Sequence, residues 1–291
     1  MATRKMAGRP RIGFIGQGYV GKNYADDFEA RGYETVRYAL EEPYCANKKK
    51  IQDCDIVFIG VPTPTLPSGG SATFDDSIVR EAVGLVGPGN IAVIKSTILP
   101  GTTANIQKQY PDRVVFCSPE FLSEATAAHD AAHPFSNIVG MSVDDAEHRE
   151  AAERVQAVLP TAPFSLICTS TEAEFIKYAH NGSGYVQIVF FNLLCDLAKK
   201  LGADWTPIEQ ALAADVYICN RYAKPVHKSG RGAGGHCFIK DFAAFRGLYE
   251  QAAGDAAGVA ALAAIEEKNI QLLRASGKDL ELLRGVYGAT V

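Results

Sequence analysis

The 291-residue sequence has no Cys-x-x-Cys pair, no basic run longer than three lysines and no apolar run long enough to span a membrane. Its seven cysteines are an odd set without metal-ligand spacing, which argues against a disulfide framework and a zinc centre, and we expect no metal site. With a net charge of −4, neither nucleic acid nor a membrane is an expected partner. The basic N-terminal stretch precedes no apolar segment, so we predict no signal peptide and a cytoplasmic protein with reduced thiols.

The first half of the sequence alternates short β-rich runs with stretches of helical length. Strand candidates lie at residues 11–16, 33–40, 54–61, 90–96, 113–118 and 136–142, and helical stretches lie at 21–32 and 75–86. This alternation is typical of crossover units in a parallel sheet. After residues 163–170 long helices follow, among them an amphipathic one at 259–273. We therefore predict the α/β class, with a Rossmann-type, mostly parallel sheet domain over residues 1–168 and an all-helical domain over 169–291.

The segment GFIGQGYVGKN carries three glycines, Gly16, Gly18 and Gly21, between the first strand and a helix. This G-x-G-x-x-G spacing allows a tight turn, close backbone approach to a pyrophosphate and helix-to-strand packing. The helix N-terminus would then offer unpaired N–H groups to the phosphates. The motif, with Tyr19 and Val20 inside it, predicts dinucleotide binding, the alternative being a glycine-rich turn without a ligand.

One element of the dinucleotide-binding motif, the acidic residue that would hold the adenosine ribose, is missing from its expected position. An acidic residue is expected at the end of the second strand, where Ala39 stands and Glu41 and Glu42 follow. Arg37 would suit the 2′-phosphate of NADP, although an arginine on a strand is usually just exposed. We favour NAD as the cofactor, with NADP as the alternative.

Four polar segments follow strands or lie on helices, and a fifth is rich in glycine. They are VPTPT (61–65), KSTILPGTT (95–103), SPEFLSE (118–124), EFIKYAHN (174–181) and GRGAGGHCFIKD (230–241). Taken singly, each has an ordinary interpretation: Glu120 and Glu124 in a solvated turn, Lys177 at the surface, Asn181 as a helix C-cap, Cys237 buried and inert. The first two segments are expected where the carboxyl ends of parallel strands open onto a ligand crevice, and the joint occurrence of all five favours functional roles over these interpretations.

In order and spacing, these segments and GQGYVG resemble the motifs of the UDP-glucose/GDP-mannose dehydrogenase family, over residues 12–241. Members of that family oxidise a nucleotide-sugar alcohol to a carboxylate with two NAD⁺. The resemblance implies that Cys237 attacks the intermediate aldehyde, and that Lys240 and the start of a helix favour its thiolate. It also implies that Lys177 and Asn181 stabilise the developing oxyanion. Asp241 would help to move protons through a water.

The resemblance implies further contacts. Glu124 would position the hydrolytic water, and Thr97 would lie near the nicotinamide or that water. The other cofactor-binding candidates are Gly16, Gly18, Tyr19, Val20, Gly21, Thr63, Thr65 and Lys240, beside Thr97 and Glu124. The substrate-binding candidates are Glu120, Phe121, Leu122, Lys177, Asn181, Gly232, Gly234 and Gly235. The glycines before Cys237 would let a sugar nucleotide lie against bare backbone beside the thiol.

The sequence also departs from the family pattern. It ends about fifty residues after Asp241, which leaves no room for the third, nucleotide-gripping domain, and HPFSNIVG lacks the family's usual arginine. Two alternatives therefore stay open: a two-electron enzyme of the β-hydroxyacid dehydrogenase kind, using Lys177 and Asn181, and a non-catalytic cofactor-binding subunit. The resemblance also predicts a homodimer built on the apolar helix at 183–201, unless that helix is buried within one chain.

Overall fold

The computed structural model describes residues 8–68 and 71–289, and the chain divides into two compact units. The first contains the chain up to Thr63 together with Asp75–Lys177, and the second contains Pro64–Phe74 and the chain from Tyr178 onward. The division therefore falls within a long helix, eight residues after its start at Ser170. Among the described residues, no helix combines the length and apolar character that a membrane span requires.

The eleven strands of the described residues are short. They are β1 Ile12–Ile15, β2 Thr35–Tyr38, β3 Ile56–Ile59, β4 Thr65–Ser68, β5 Ser71–Phe74, β6 Ile91–Ile94, β7 Val114–Cys117, β8 Ser136–Met141, β9 Phe164–Thr169, β10 Val226–His227 and β11 Gly230–Arg231. The six strands predicted in the first half of the sequence are confirmed. The β4–β5 hairpin belongs to the second unit and was not predicted.

The three longest α-helices of the described residues all begin after residue 169. In chain order, the α-helices are α1 Tyr19–Ala30, α2 Ser77–Gly84, α3 Thr102–Gln109, α4 Ala127–Ala132, α5 Ala146–Val158, α6 Ser170–Lys200, α7 Trp205–Ala214, α8 Gly235–Ala252, α9 Ala256–Ser276 and α10 Leu280–Tyr287. The predicted amphipathic helix at 259–273 is confirmed as α9. Gly277 ends it in the left-handed conformation, with φ of +67°.

Seven strands form the sheet of the first unit, in the order β2-β1-β3-β6-β7-β8-β9. All neighbours are parallel except β7 and β8, which are antiparallel. Every residue of β1, β3, β6 and β7 is buried, as expected where helices cover both faces of a parallel sheet. The predicted fold class is thus confirmed.

The strand order places a topological switch point between β1 and β3, because the chain leaves β1 for β2 on one side and returns to β3 on the other. In doubly wound sheets, ligands bind at the carboxyl ends of the strands at this point. The first glycine motif follows β1, and the VPTPT segment follows β3. The topology therefore directs the cofactor to these two loops.

The second unit has its own core around α8. In this core the rings of Tyr185 and Phe242 stack, with centroids 3.9 Å apart and planes 6° from parallel. Val189 and Ala233 pack in the same cluster. Ala233 lies in the glycine-rich segment before α8, so this core anchors that segment at Ala233.

Candidate active site

The first glycine loop, Gly16–Gly21, joins β1 to α1. A Cβ on Gly16 would lie 2.2 Å from the carbonyl oxygen of Gly60, and one on Gly21 would lie 1.9 Å from that of Gly16. By contrast, a Cβ on Gly18 would meet no atom within 4 Å. Gly18 is also the N-cap residue of α1 and supplies no capping side chain. The open space at an uncapped helix N-terminus therefore fits a pyrophosphate, which those N–H groups would bind.

The loops after β3 and β6 are held together by one serine. Ser96 accepts a hydrogen bond from the N–H of Val61 (2.9 Å) and donates one to its carbonyl (2.7 Å). Thr63 is buried beyond Val61, and Thr97 is half-buried directly after Ser96. Both predicted contacts thus lie at the switch-point end of the sheet.

Thr65 stands apart from the other cofactor-binding candidates. It belongs to β4 in the second unit and is buried there. Its hydroxyl has no hydrogen-bond partner within the part of the chain that the structure describes. Tyr19, the first residue of α1, is 40% exposed. For both residues, contact with the cofactor stays a prediction.

Arg37 does not present its guanidinium to a 2′-phosphate. Nε and NH2 donate to the two carboxylate oxygens of Glu29 at 2.8 and 2.7 Å, and NH2 also lies 2.7 Å from Asp26. The guanidinium is therefore satisfied within the protein, as an isolated NADP-binding arginine would not be. Ala39 is buried and Glu41 and Glu42 are exposed, so the ribose contact stays a prediction.

Glu120 and Lys177 form a buried ion pair in the first unit. Lys177 Nζ donates to the backbone carbonyl of Glu120 at 2.6 Å and to its Oε1 at 3.0 Å. The other carboxylate oxygen accepts the N–H of Leu122 at 2.7 Å, and the Phe121 ring centroid is 5.5 Å from Nζ. The structure thus places Glu120 and Phe121 beside Lys177, while Leu122 binds the carboxylate of Glu120. Glu124 lies further along, exposed.

Glu174, which the sequence analysis missed, fixes the loop that carries Thr97. Its carboxylate accepts hydrogen bonds from the N–H groups of Gly101 (2.6 Å) and Thr103 (2.8 Å) and from the Thr103 hydroxyl (2.6 Å). Burial raises the pKa of this carboxyl, although the three donors oppose that rise. Because Glu174 precedes Lys177 by three residues on α6, one helix face holds both the loop and the ion pair.

Lys95 is a second residue that the sequence analysis missed. It is 4% exposed, its Nζ donates to the Ser118 hydroxyl at 3.0 Å, and it lies 4.6 Å from the ring centroid of Tyr24 in α1. Burial lowers the pKa of this amine to about 8. The sequence could have predicted its burial, because Lys95 immediately follows an all-apolar strand whose end still lies inside the core.

In the second unit, Asp241 is held by two partners. The Asn181 amide donates to one carboxylate oxygen at 2.7 Å, and Lys240 Nζ donates to the other at 2.6 Å. Asp241 is 2% exposed and Asn181 is 5% exposed. Asn181 lies in the interior of α6, so the C-cap interpretation is wrong, and the burial of Lys177 likewise overturns its placement at the surface.

Cys237 is the third residue of α8 and is exposed. The buried, inert alternative is therefore wrong for this cysteine, while it fits Cys54, Cys117 and Cys195. A thiol in the first turn of a helix lies in the partial positive charge of the helix N-terminus, which favours the thiolate. Asp241 lies four residues later, one turn along the same helix.

The second glycine loop comprises residues 230–235. A Cβ on Gly230 would lie 2.6 Å from Ser276 Oγ, one on Gly232 would lie 3.0 Å from Asn269 Oδ1, and one on Gly234 would lie 2.0 Å from Asp279 Oδ2. The protein's own side chains thus occupy the Cβ directions of these three glycines. Only Gly235, with φ of +83°, faces open space. Substrate contact by Gly232, Gly234 and Gly235 stays a prediction.

Comparison with known proteins gives two family matches. Residues 34–159 match the NAD binding domain of the UDP-glucose/GDP-mannose dehydrogenase family, and residues 171–269 match the central domain of the same family. The cofactor of the first domain is NAD, in agreement with the prediction and with the occupied Arg37 guanidinium.

Individual relatives agree with these matches. The chain is 30% identical over 235 residues to a UDP-glucose 6-dehydrogenase of Rickettsia conorii, a match that covers 77% of this chain and 52% of that protein. The chain thus spans about half the length of the curated relatives it matches. A UDP-glucose dehydrogenase structure from the archaeon Pyrobaculum islandicum superposes with a TM-score of 0.74 at 27% identity, covering 92% of this chain and 70% of that one. A Mycobacterium tuberculosis 3-hydroxyisobutyrate dehydrogenase shares the fold, with a TM-score of 0.69 at 15% identity, covering 95% and 98%.

Proposed function

Since the chain belongs to the UDP-glucose/GDP-mannose dehydrogenase family, we propose that it oxidises the primary alcohol of a nucleotide sugar to the carboxylate in two hydride transfers. The observation that carries this proposal is the position of Cys237. It is an exposed thiol in the first turn of α8, one turn before an aspartate that is bound by Asn181 and Lys240. This combination is what covalent catalysis by a thiol requires: an accessible nucleophile near groups that move protons.

The proposed reaction begins when the alcohol carbon loses a hydride and its hydroxyl loses a proton, giving an aldehyde. The Cys237 thiolate then adds to the aldehyde carbon, a C–S bond forms, and the oxygen takes a proton to give a thiohemiacetal. A second hydride leaves the same carbon while the hydroxyl proton departs, giving a thioester. Water attacks this carbonyl, the C–S bond breaks, and the thiolate and a carboxylate are released. NAD⁺, when bound, accepts one hydride in each oxidation.

The other residues have supporting roles in this proposal. The Lys177 ammonium and the Asn181 amide stabilise negative charge on the substrate oxygen in each step. Asp241 receives and returns protons through a water, and Lys240 donates a hydrogen bond to its carboxylate. Glu124 and Thr97 orient the water that hydrolyses the thioester. Glu120 holds the ammonium of Lys177 in place through the buried ion pair.

The experiment is a count of NADH formed per substrate consumed, with UDP-glucose, GDP-mannose and their N-acetylated analogues as substrates. Wild type is expected to give two NADH with one of them, and Cys237→Ser is expected to form no acid. Cys219→Ser is the matched control, because Cys219 is the other exposed cysteine of the second unit and has no role in the proposed reaction. One NADH per substrate, unaffected by Cys237→Ser, would instead support the two-electron alternative. NAD binding without turnover would support the non-catalytic alternative.

We also propose that two copies of the chain associate through α6. Five apolar residues at intervals of four, three, four and four positions form an exposed stripe, with 37–75% of each side chain accessible: Val186, Phe190, Leu193, Leu197 and Leu201. Contiguous exposed apolar residues on one side of a helix are a surface that soluble proteins normally cover. Light scattering is expected to find a dimer for wild type and for the control Lys199→Ala, and a monomer for Leu197→Lys. A monomeric wild type would refute the dimer without touching the proposed reaction.

A further inference from the structure

The segment from Asn269 to Asp279 holds the second glycine loop with side chains that the proposed reaction does not use. Asn269 makes two hydrogen bonds to the backbone of Ala233: its Oδ1 accepts the N–H at 2.7 Å and its Nδ2 donates to the carbonyl at 2.9 Å. Asn269 is 1% exposed, so both bonds are shielded from water. Ala233, at the centre of the loop, is therefore fixed through both its N–H and its carbonyl.

Two further side chains of the same segment hold the neighbouring residues. Lys278 Nζ donates to the carbonyl of Gly232 at 2.9 Å, and Lys278 is 6% exposed. Ser276 Oγ accepts the N–H of Arg231 at 3.1 Å. A loop with glycine at positions 230, 232, 234 and 235 has unusual backbone freedom, and these bonds offset the entropy of fixing it.

Asp279 completes the set at the start of α8. Its Oδ2 accepts the N–H of Gly235, the first residue of the helix, at 2.7 Å. The N-cap residue Gly234 has no side chain to do this, so the acceptor comes from Asp279, 44 positions after Gly235. Asp279 adopts a left-handed backbone conformation with φ of +54°, which is uncommon for a residue other than glycine. The surrounding contacts therefore hold it where the carboxylate reaches α8.

We propose that Asp279 is the positioning residue for Cys237, acting with Asn269 and Lys278; this rests on the proposed role of Cys237 as nucleophile. Cys237 follows Gly235 by two residues in the same helical turn, so the direction in which its side chain leaves the helix is set by where that turn starts. The bonds to Gly232, Ala233 and Gly235 fix that starting point. Without them, the first turn would fray and the thiol would sample positions from which it cannot reach the substrate carbon.

The test compares Asp279→Ala, Asp279→Asn and Asp255→Ala in the full chain, with NAD⁺ and the nucleotide sugar that wild type oxidises. Asp255→Ala is the matched control: it removes an aspartate that caps α9 in the same unit but contacts no residue of the glycine loop. We expect Asp279→Ala to lower kcat at least roughly tenfold while KM changes less than about twofold, because positioning affects the chemical step more than binding. Asp279→Asn should retain kcat within about threefold, because its amide oxygen can accept the same N–H.

A second readout does not depend on turnover. The rate of Cys237 alkylation by iodoacetamide is measured on the peptide by mass spectrometry, with exposed Cys219 as the internal reference. In Asp279→Ala the ratio of the two rates should change at least roughly threefold, and in the other two variants it should not. If Asp279→Ala does not fold, Lys278→Met is measured in the same way.

Two results would overturn the proposal: wild-type kcat and alkylation in Asp279→Ala, or equal losses in Asp279→Ala and Asp255→Ala. A different result is expected if the proposed function is wrong and Cys237 is not the nucleophile. In that case Cys237→Ser would retain turnover, while the alkylation ratio of Asp279→Ala would still report whether the loop contacts position the thiol.

Discussion

The glycine loop after β1 and the glycine loop before α8 have the same local design. Each leads into a helix, and in each the N-cap residue is a glycine with extended ψ and no capping side chain: Gly18 with ψ of −163° and Gly234 with ψ of −165°. They differ in their surroundings. No atom lies within 4 Å of a Cβ placed on Gly18, whereas one placed on Gly234 would lie 2.0 Å from Asp279 Oδ2.

This difference shows that a glycine-rich stretch before a helix does not by itself indicate a ligand. At α1 the protein leaves the N–H groups of the helix open to a ligand phosphate. At α8 its own carboxylate, Asp279, takes the first N–H. We therefore expect the first loop to bind an anion from outside, and we propose that the second fixes a turn that carries a thiol.

The largest effect is expected for Gly21→Ala in the first loop. The new Cβ would lie 1.9 Å from the backbone oxygen of Gly16, and a backbone atom cannot rotate away as a side chain can. We expect the free energy of unfolding of the first unit to fall by about 3 kcal/mol or more, measured by urea unfolding. Gly18→Ala is the control in the same loop and should change it by less than about 1 kcal/mol. Equal losses would contradict the distinction between packed and open glycines.

The next largest effect is the pH dependence of stability that the buried Lys95 causes. Lys95 lies beneath α1, and burial lowers the pKa of its amine from 10.5 to about 8. Between these values the unfolded chain binds the proton and the folded chain does not, so stability rises with pH there. The charged amine costs the fold about 3 kcal/mol below pH 8, a cost lost as pH rises towards 10.5. The difference in unfolding free energy between wild type and Lys95→Met should change by this amount from pH 7 to 10, whereas Lys199→Met should show no such change.

The affinity for NAD is expected to depend on the first glycine loop and not on the second. Gly18→Ala places a methyl group where the pyrophosphate is expected, so we predict that NAD binds roughly tenfold more weakly, a loss of about 1.4 kcal/mol. Calorimetric titration measures this. Gly234→Ala, the corresponding N-cap substitution at α8, should leave NAD affinity unchanged. If Gly234→Ala weakened NAD binding as much, the second loop would also belong to the cofactor site.

The smallest effect is expected at Gly235. Its side-chain direction is open, so alanine there meets only the backbone strain of φ +83°, which costs about 1 kcal/mol. Gly234→Ala should cost more than this, because Asp279 must move and release the N–H of Gly235. Urea unfolding of the two variants side by side tests the order. The reverse order would mean that Asp279 contributes little at the start of α8.

The features that could be predicted from sequence depend on local patterns. The six strands of the first half followed from apolar runs, and the roles of Gly16 and Gly21 followed from the spacing of a known turn. Glu120 and Lys177 were each predicted as candidate site residues. Their ion pair was not predicted, because it joins residues 57 positions apart. Glu174, Lys95 and Asp279 were missed because only the folded chain shows what lies beside them. The contacts of the glycines before Cys237 could not be predicted for the same reason: the side chains that lie in their Cβ directions come from residues 269–279.

If Cys237 carries the substrate as a covalent intermediate, that intermediate can be trapped during turnover. The direct measurement is to stop turnover of a nucleotide sugar labelled with ¹⁴C in the sugar with acid, digest the protein, and locate the label. We predict label on the peptide that contains Cys237 and none on the peptide that contains Cys219. Formation of the acid with two NADH per substrate, but with no label on Cys237 at any time during turnover, would contradict it.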